Sequence, residues 1–88
     1  DGQVIRITIP TLTEDRRKQM VKIVHSTTED SKVAVRNIRR DALHQTKEQG
    51  VSEDEERRAS QEMDNLTKRF VDEADRIGKT KEQEVLEV

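Results

Sequence analysis

Gln-Gly-Val-Ser-Glu-Asp-Glu, residues 49–55, lies near the middle of an 88-residue chain and decides how that chain folds. Glycine suits the left-handed position that follows the last turn of a helix, so Gly50 predicts a helix end. Ser52 with Glu55 three residues later is the capping-box pattern that begins a helix. Because the connection is so short, the two helices must lie antiparallel. The predicted fold is all-α, a long antiparallel helical hairpin.

The helix before this turn is predicted to be unusually long. No glycine or proline interrupts the chain from Thr11 to Gln49, and Thr13 is a favourable N-cap. Glu14 and Asp15 place negative charge in the first turn, where the helix dipole favours it. These features predict a helix of about 36 residues, or roughly 54 Å at 1.5 Å per residue.

The helix after the turn can continue from Glu53 to near Val88. Gly78 is its weak interior point, because glycine costs about 1 kcal/mol relative to alanine inside a helix. We expect a bend or fraying there.

Apolar residues recur at spacings of three and four along both helices, which predicts that the helices pack along a shared seam. The first helix contributes Met20, Val24, Ser31, Ala34 or Val35, Ile38, Ala42 and Leu43, and the second contributes Ala59, Met63, Leu66, Phe70, Ala74, Ile77, Val85 and Val88. Val21, Ile23, Val33 and Val71 flank the seam and would stay partly exposed in an isolated hairpin. A third helix, from another part of the protein or from a second copy, would cover them.

The first ten residues have a different pattern. Val4–Ile9 alternates isoleucines with Arg6 and Thr8 and is followed by Pro10, which predicts one β-strand. A single strand has no partner for its backbone hydrogen-bonding groups. We therefore expect the rest of the sheet to come from another part of a larger protein or from another chain.

Composition excludes several classes of protein. With 41% charged residues, 30% hydrophobic residues and one aromatic residue, the chain cannot form an ordinary β-sandwich. The absence of cysteine removes disulfides, thiol nucleophiles and cysteine zinc sites, and no 18-residue apolar run predicts a membrane span. His25 and His44 lack a metal-binding motif, so the sequence predicts no catalytic residue, cofactor or metal site.

One segment is strongly basic although the net charge of the chain is −2. Arg36, Arg39 and Arg40 are spaced to lie on neighbouring helical turns, with Asn37 beside them. Arginine can donate two parallel hydrogen bonds to a phosphate, so this cluster predicts an anion-binding surface. The alternative is structural, with Arg36 paired to Asp41 or to acidic residues of the second helix.

Four segments of the chain are distinctive when taken together: Ile-Pro-Thr-Leu-Thr-Glu-Asp-Arg-Arg-Lys (9–18), Lys-Val-Ala-Val-Arg-Asn-Ile-Arg-Arg-Asp-Ala (32–42), Ser-Glu-Asp (52–54) and Lys-Glu-Gln-Glu-Val-Leu-Glu-Val (81–88). In this order they resemble the carboxyl-terminal half of the ribosome recycling factor family. The resemblance implies an L-shaped protein. Residues 1–9 would be the last strand of the small β-rich domain II, residues 10–12 a hinge, and residues 13–88 two helices of the three-helix bundle of domain I.

The resemblance also implies a function. The family binds the large ribosomal subunit and, with elongation factor G, splits post-termination ribosomes so that the subunits can be reused; it is not an enzyme. Arg36, Asn37, Arg39 and Arg40 match its stretch that contacts rRNA, and Arg16 and Arg17 are a possible second contact. The expected partners are rRNA, elongation factor G and the rest of the same protein, without DNA or membrane. The expected location is the cytoplasm of a bacterium or an organelle of bacterial descent.

A different class of function remains open on the residues alone. The exposed apolar stripes would also suit a helical dimerisation or partner-binding module with no role in RNA binding. Salt dependence separates the two hypotheses, because phosphate contacts weaken steeply with salt whereas apolar helix pairing does not.

Overall fold

The computed structural model describes residues 13–87, which form an antiparallel hairpin of two long helices. Helix α1 is Glu14–Glu48 and helix α2 is Glu53–Glu87, each of 35 residues. The all-α hairpin is therefore confirmed. The predicted strand Val4–Ile9, the hinge at 10–12 and the terminal Val88 lie outside the described residues.

Helix α1 begins at the predicted cap. Thr13 has extended backbone angles, and its hydroxyl oxygen accepts a hydrogen bond from the backbone N–H of Arg16 at 3.1 Å. The bond satisfies one of the N–H groups that the first turn of a helix leaves without a partner. Glu14 and Asp15 follow in the first turn, as the sequence predicts.

The turn between the helices also follows from its residues. Gly50 has a φ of 68°, the left-handed conformation that a side chain disfavours, and its N–H donates to the carbonyl of Lys47 at 3.2 Å. Ser52 then caps α2, because its hydroxyl accepts from the backbone N–H of Glu55 at 3.2 Å. Both predictions are confirmed: Gly50 follows the end of α1, and Ser52 caps the start of α2.

The two helices meet along a shallow seam that contains many polar groups. Of residues 13–87, Gly78 alone is buried. Thr28, Thr46 and Thr67 are half-buried, and each hydroxyl donates to the carbonyl oxygen four residues earlier in its helix. These internal bonds satisfy the hydroxyl groups, so threonine can be used in a seam where the apolar pattern predicts none.

The seam prediction is wrong for several large apolar residues. Phe70 is 56% exposed and Ile38 is 69% exposed, and Leu66, Ile77 and the smaller Ser31 are exposed as well. The reason is geometric: each apolar stripe is wider than the strip that one neighbouring helix can cover. Between the alternatives Ala34 and Val35, it is Val35 that is half-buried and belongs to the seam. Of the residues predicted to flank the seam, Val21 and Val71 are half-buried and Ile23 and Val33 are exposed, so all four remain at least partly exposed, as expected.

Gly78 is a packing contact and not a point of fraying. Helix α2 continues through it to Glu87, and its backbone lies against the side chain of Thr28 on α1. A side chain at this position would have to occupy the space that Thr28 fills. The glycine therefore permits a close approach of the two helices.

Within residues 13–87, ion pairs of Lys32 and Arg39 cross from α1 to α2. The Lys32 ammonium lies 2.9 Å from a carboxylate oxygen of Asp75 and 3.0 Å from one of Glu29, and the Lys32 side chain is only 13% exposed. The pKa of Lys32 is raised, most strongly by the hydrogen bond to Asp75 and next by the hydrogen bond to Glu29. The second pair joins Arg39 to Asp64 at 3.3 Å. Both pairs restrict how the helices can slide past each other.

Candidate nucleic-acid interface

The three clustered arginines lie on the last half of α1, on its solvent-facing side. Arg36, Arg39 and Arg40 are all exposed, and Asn37 is exposed beside them. The uninterrupted helix places these side chains on consecutive turns, as their spacing predicts. Within residues 13–87, neither Arg36 nor Arg40 takes part in an ion pair. Their guanidinium groups are thus available to an external anion.

The arginines form part of a larger concave surface, which we call the basic surface. It is lined by Arg36, Arg39, Arg40, Leu43, His44 and Lys47. Leu43, His44 and Lys47 were not predicted to belong to an anion-binding surface, although they continue the helical spacing from Arg40 at intervals of three and four. Asn37 lies next to the basic surface but does not line it.

The chemistry of the basic surface suits phosphates arranged along a backbone. From Arg36 to Lys47 it extends about 16 Å along the helix axis. Each guanidinium offers a planar pair of donors, and Lys47 adds a compact point charge. His44 is engaged by Glu48, since its Nε2 lies 3.0 Å from a carboxylate oxygen. Several positive groups on one rigid helix can contact several phosphates at once.

The structural alternative for Arg36 is not observed in residues 13–87. The clustered arginine that does pair with an acidic residue of α2 is Arg39, whose Nε lies 3.3 Å from Oδ1 of Asp64. Both side chains are partly exposed, at 43% for Arg39. An exposed pair of this kind contributes little to stability, so it does not by itself explain three clustered arginines.

The possible second contact lies at the other end of α1. A guanidinium N–H of Arg16 donates to the side-chain carbonyl of Gln19 at 3.2 Å, and Arg17 lies 3.7 Å from Glu14. Arg16 is about 30 Å from Arg36 along the helix axis, at 1.5 Å per residue. The structure therefore does not bring these arginines to the basic surface, and any contact they make belongs to a separate site.

An open apolar groove runs along one side of the hairpin, where the exposed apolar residues of α1 lie beside those of α2. It is lined mainly by Ile23, Val24, Thr27, Val35 and Ile38 of α1 and by Met63, Leu66, Phe70, Ala74 and Ile77 of α2. From Ile23 to Ile38 it is about 22 Å long. Arg39 lines both the apolar groove and the basic surface, so the two surfaces meet at this residue. The apolar groove is a surface of the size that another helix would cover.

Among residues 13–87, no three histidine or carboxylate side chains are grouped so that they could hold a metal ion. In the same part of the chain, neither helix combines the length and the apolar character needed to cross a membrane.

Comparison with known proteins gives a consistent result. The sequence model described as "Ribosome recycling factor" matches residues 1–86. The chain is 54% identical to the ribosome-recycling factor of Thermomicrobium roseum and 53% identical to that of Roseiflexus sp., over all of this chain and 50% of each relative. It is 43% identical to that of Aquifex aeolicus, over 99% of this chain and 48% of the relative. The chain thus spans about half the length of the curated relatives it matches.

Proposed function

Because the chain belongs to the ribosome recycling factor family, we propose that it carries the rRNA-binding surface of such a factor. The basic surface binds phosphates of the large ribosomal subunit, with Arg36, Arg39 and Arg40 as the principal contacts and Asn37 beside them. The observation that carries this proposal is the exposure of three arginines on consecutive turns, two of them without an ion pair in residues 13–87. Sequence preference would come from the shape of the folded RNA, because phosphate contacts position a protein without reading bases.

The apolar groove has its own role in this proposal. It receives one more helix of the same protein, which completes the three-helix bundle of domain I. The groove is continuous and apolar, so it can accommodate an additional helix. This chain spans only about half of its relatives' length, so the sequence outside the matched region can supply that helix. Residues 1–9 then belong to domain II and residues 10–12 to the hinge.

The activity of the whole protein follows from binding and not from catalysis. Domain I holds the factor on the large subunit, and elongation factor G acts on the complex to separate the ribosomal subunits in the bacterial cytoplasm. Arg16 and Arg17, about 30 Å from the basic surface, would make a second contact near the hinge.

The proposed binding can be tested by removing the three arginines together. Isolated bacterial large subunits are titrated with the chain and with the Arg36→Ala/Arg39→Ala/Arg40→Ala variant across a salt series. Each lost phosphate contact reduces the slope of log affinity against log salt by about 0.7 to 0.9. We expect the variant to bind at least tenfold more weakly and its slope to be shallower by about 2.

The matched control removes three positive charges from the outer side of α2, in the variant Arg69→Ala/Arg76→Ala/Lys79→Ala. This variant has the same net charge as the first, so a loss of general electrostatic attraction affects both equally. A similar loss of affinity in the two variants, or binding that does not depend on salt, would contradict the proposed site.

A partner-binding module is the second candidate function, and the exposed apolar groove favours it. In that case the groove binds a helix of another protein or of a second copy, and the arginines only select the partner. Sedimentation of the chain at increasing concentration distinguishes the candidates. A stable dimer that depends on Phe70 and does not bind large subunits would favour the second.

A further inference from the structure

Arg39 differs from the other arginines of the basic surface in having a carboxylate partner on the opposite helix. Its Nε lies 3.3 Å from Oδ1 of Asp64 on α2. Arg36 and Arg40 have no ion pair in the part of the chain that is described. Among residues 13–87, Asp64 is thus the one acidic residue of α2 that forms an ion pair with an arginine of the proposed binding site.

The atoms that form this pair determine what remains available on Arg39. A guanidinium has five N–H donors in a rigid plane, and Asp64 occupies the side at Nε. The opposite edge, formed by the two terminal nitrogens, can still donate two parallel hydrogen bonds to a phosphate. The partner therefore restrains the guanidinium from its Nε side and leaves its second edge unblocked.

We propose that Asp64 is a positioning residue, which orients the Arg39 guanidinium so that its terminal edge faces a phosphate of the bound RNA. This inference rests on the function proposed above. A free arginine loses side-chain freedom when it binds, and holding it in place beforehand reduces that loss. The pair is partly exposed and contributes little to folding, so its main effect is on binding.

Simple electrostatics makes the opposite prediction, which gives the proposal a sharp test. Removing any carboxylate near a polyanion lowers repulsion and should tighten RNA binding slightly. If Asp64 orients Arg39, its removal weakens binding even though it makes the protein more basic. The guanidinium lies between Asp64 and the phosphate, and salt screens their repulsion over about 8 Å.

The experiment is a double-mutant cycle on binding to isolated large ribosomal subunits at fixed salt. The four proteins are the parent chain, Asp64→Ala, Arg39→Ala and the double variant. We expect Asp64→Ala to weaken binding about threefold in the parent, and to leave binding unchanged or tighten it slightly when Arg39 is already alanine. Asp64→Glu, which keeps a carboxylate, should restore at least half of the lost affinity.

Asp72→Ala is the matched control, because Asp72 is an exposed aspartate on α2 that pairs with Lys68 of its own helix. It should leave binding unchanged or tighten it slightly. Melting is measured for every variant, and Asp64→Ala should melt within a few degrees of the parent.

Three outcomes would overturn the inference. They are tighter binding by Asp64→Ala, an unchanged affinity, and an equal loss with and without Arg39. A different result, in which Arg39→Ala itself leaves binding unchanged, would instead count against the proposed rRNA site, so the two failures can be told apart.

Discussion

Gly78 shows how much one residue can contribute to the packing of this hairpin. A Cβ atom added there would lie 3.0 Å from Cγ2 and 3.2 Å from Cβ of Thr28, closer than such atoms normally approach. Thr28 has little freedom to move, since it is branched at Cβ and its hydroxyl donates to the carbonyl of Val24 at 2.8 Å. Helix propensity favours alanine at this position, but the packing requires glycine.

We expect Gly78→Ala to destabilise the hairpin. Alanine gains about 1 kcal/mol of helix propensity, whereas overpacking at a close contact costs about 1 to 3 kcal/mol. The expected net loss is about 1 kcal/mol, measured by thermal or urea unfolding followed by circular dichroism. The control Thr28→Ala removes Oγ1 and Cγ2, the two nearest opposing atoms, and should reduce the cost of Gly78→Ala. Stabilisation by Gly78→Ala alone would mean that the helices do not approach closely in solution.

At the scale of the helices, much of what joins α1 to α2 is polar. Lys32 of α1 lies between Glu29 of its own helix and Asp75 of α2. Other pairs are local to one helix, such as Arg76 with Glu73, whose hydrogen bond lowers the pKa of Glu73. Stability should therefore depend on pH at both ends of the range.

We expect the melting temperature to be highest between about pH 5 and pH 10. The pKa of Lys32 is raised above its ordinary 10.5, so the stability it contributes is complete below 10.5 and is lost as pH rises through the higher folded value. The pKa of Glu73 is lowered from 4.5, so its contribution is present above 4.5 and is lost as pH falls through the lower folded value.

The variant Lys32→Met tests the alkaline side of this profile. It should melt at a lower temperature than the parent at pH 7 and lose less stability above about pH 10. Lys79→Met is the control, because Lys79 is an exposed lysine of α2 that takes part in no ion pair within residues 13–87; it should keep the alkaline decrease of the parent. An identical decrease in Lys32→Met and the parent would show that Lys32 does not link the helices.

At the scale of the whole molecule, the hairpin leaves its largest apolar side chains without cover. Phe70 is 56% exposed in the middle of the apolar groove, and Leu86 is 58% exposed outside it. Contiguous exposed apolar surface of this kind marks a site that another element covers. Isolated exposed residues such as Leu86 need no such explanation.

Phe70→Ala should therefore reduce stability by different amounts in this chain and in a longer protein that covers the apolar groove. In this chain the residue is exposed, so the loss of stability should be below about 1 kcal/mol. In a chimaera that adds the part of the T. roseum relative outside the matched region, the added part should cover Phe70. Phe70→Ala should then lower the free energy of unfolding by about 3 kcal/mol. Unfolding by urea measures both values.

Leu86→Ala is the control and should cost little in either context. We also expect the chimaera to support splitting of ribosomes with elongation factor G far better than this chain alone. An equally small cost of Phe70→Ala in both proteins, or no gain in splitting, would contradict the proposed bundle.

The sequence by itself determined the helices and the turn between them. Thr13, Gly50 and Ser52 act on backbone groups within one helical turn, so their effects can be predicted from neighbouring residues. The clustering of Arg36, Arg39 and Arg40 was predictable for the same reason, because helical spacing alone places them together.

Only the tertiary structure decided which residues meet across the hairpin. The 3.6-residue period gives the direction of each stripe but not the rotation and offset of one helix against the other. Those two quantities pair Arg39 with Asp64, bring Gly78 against Thr28 and leave Phe70 in an open groove. They depend on contacts between residues far apart in the chain, and no local pattern in the sequence specifies them.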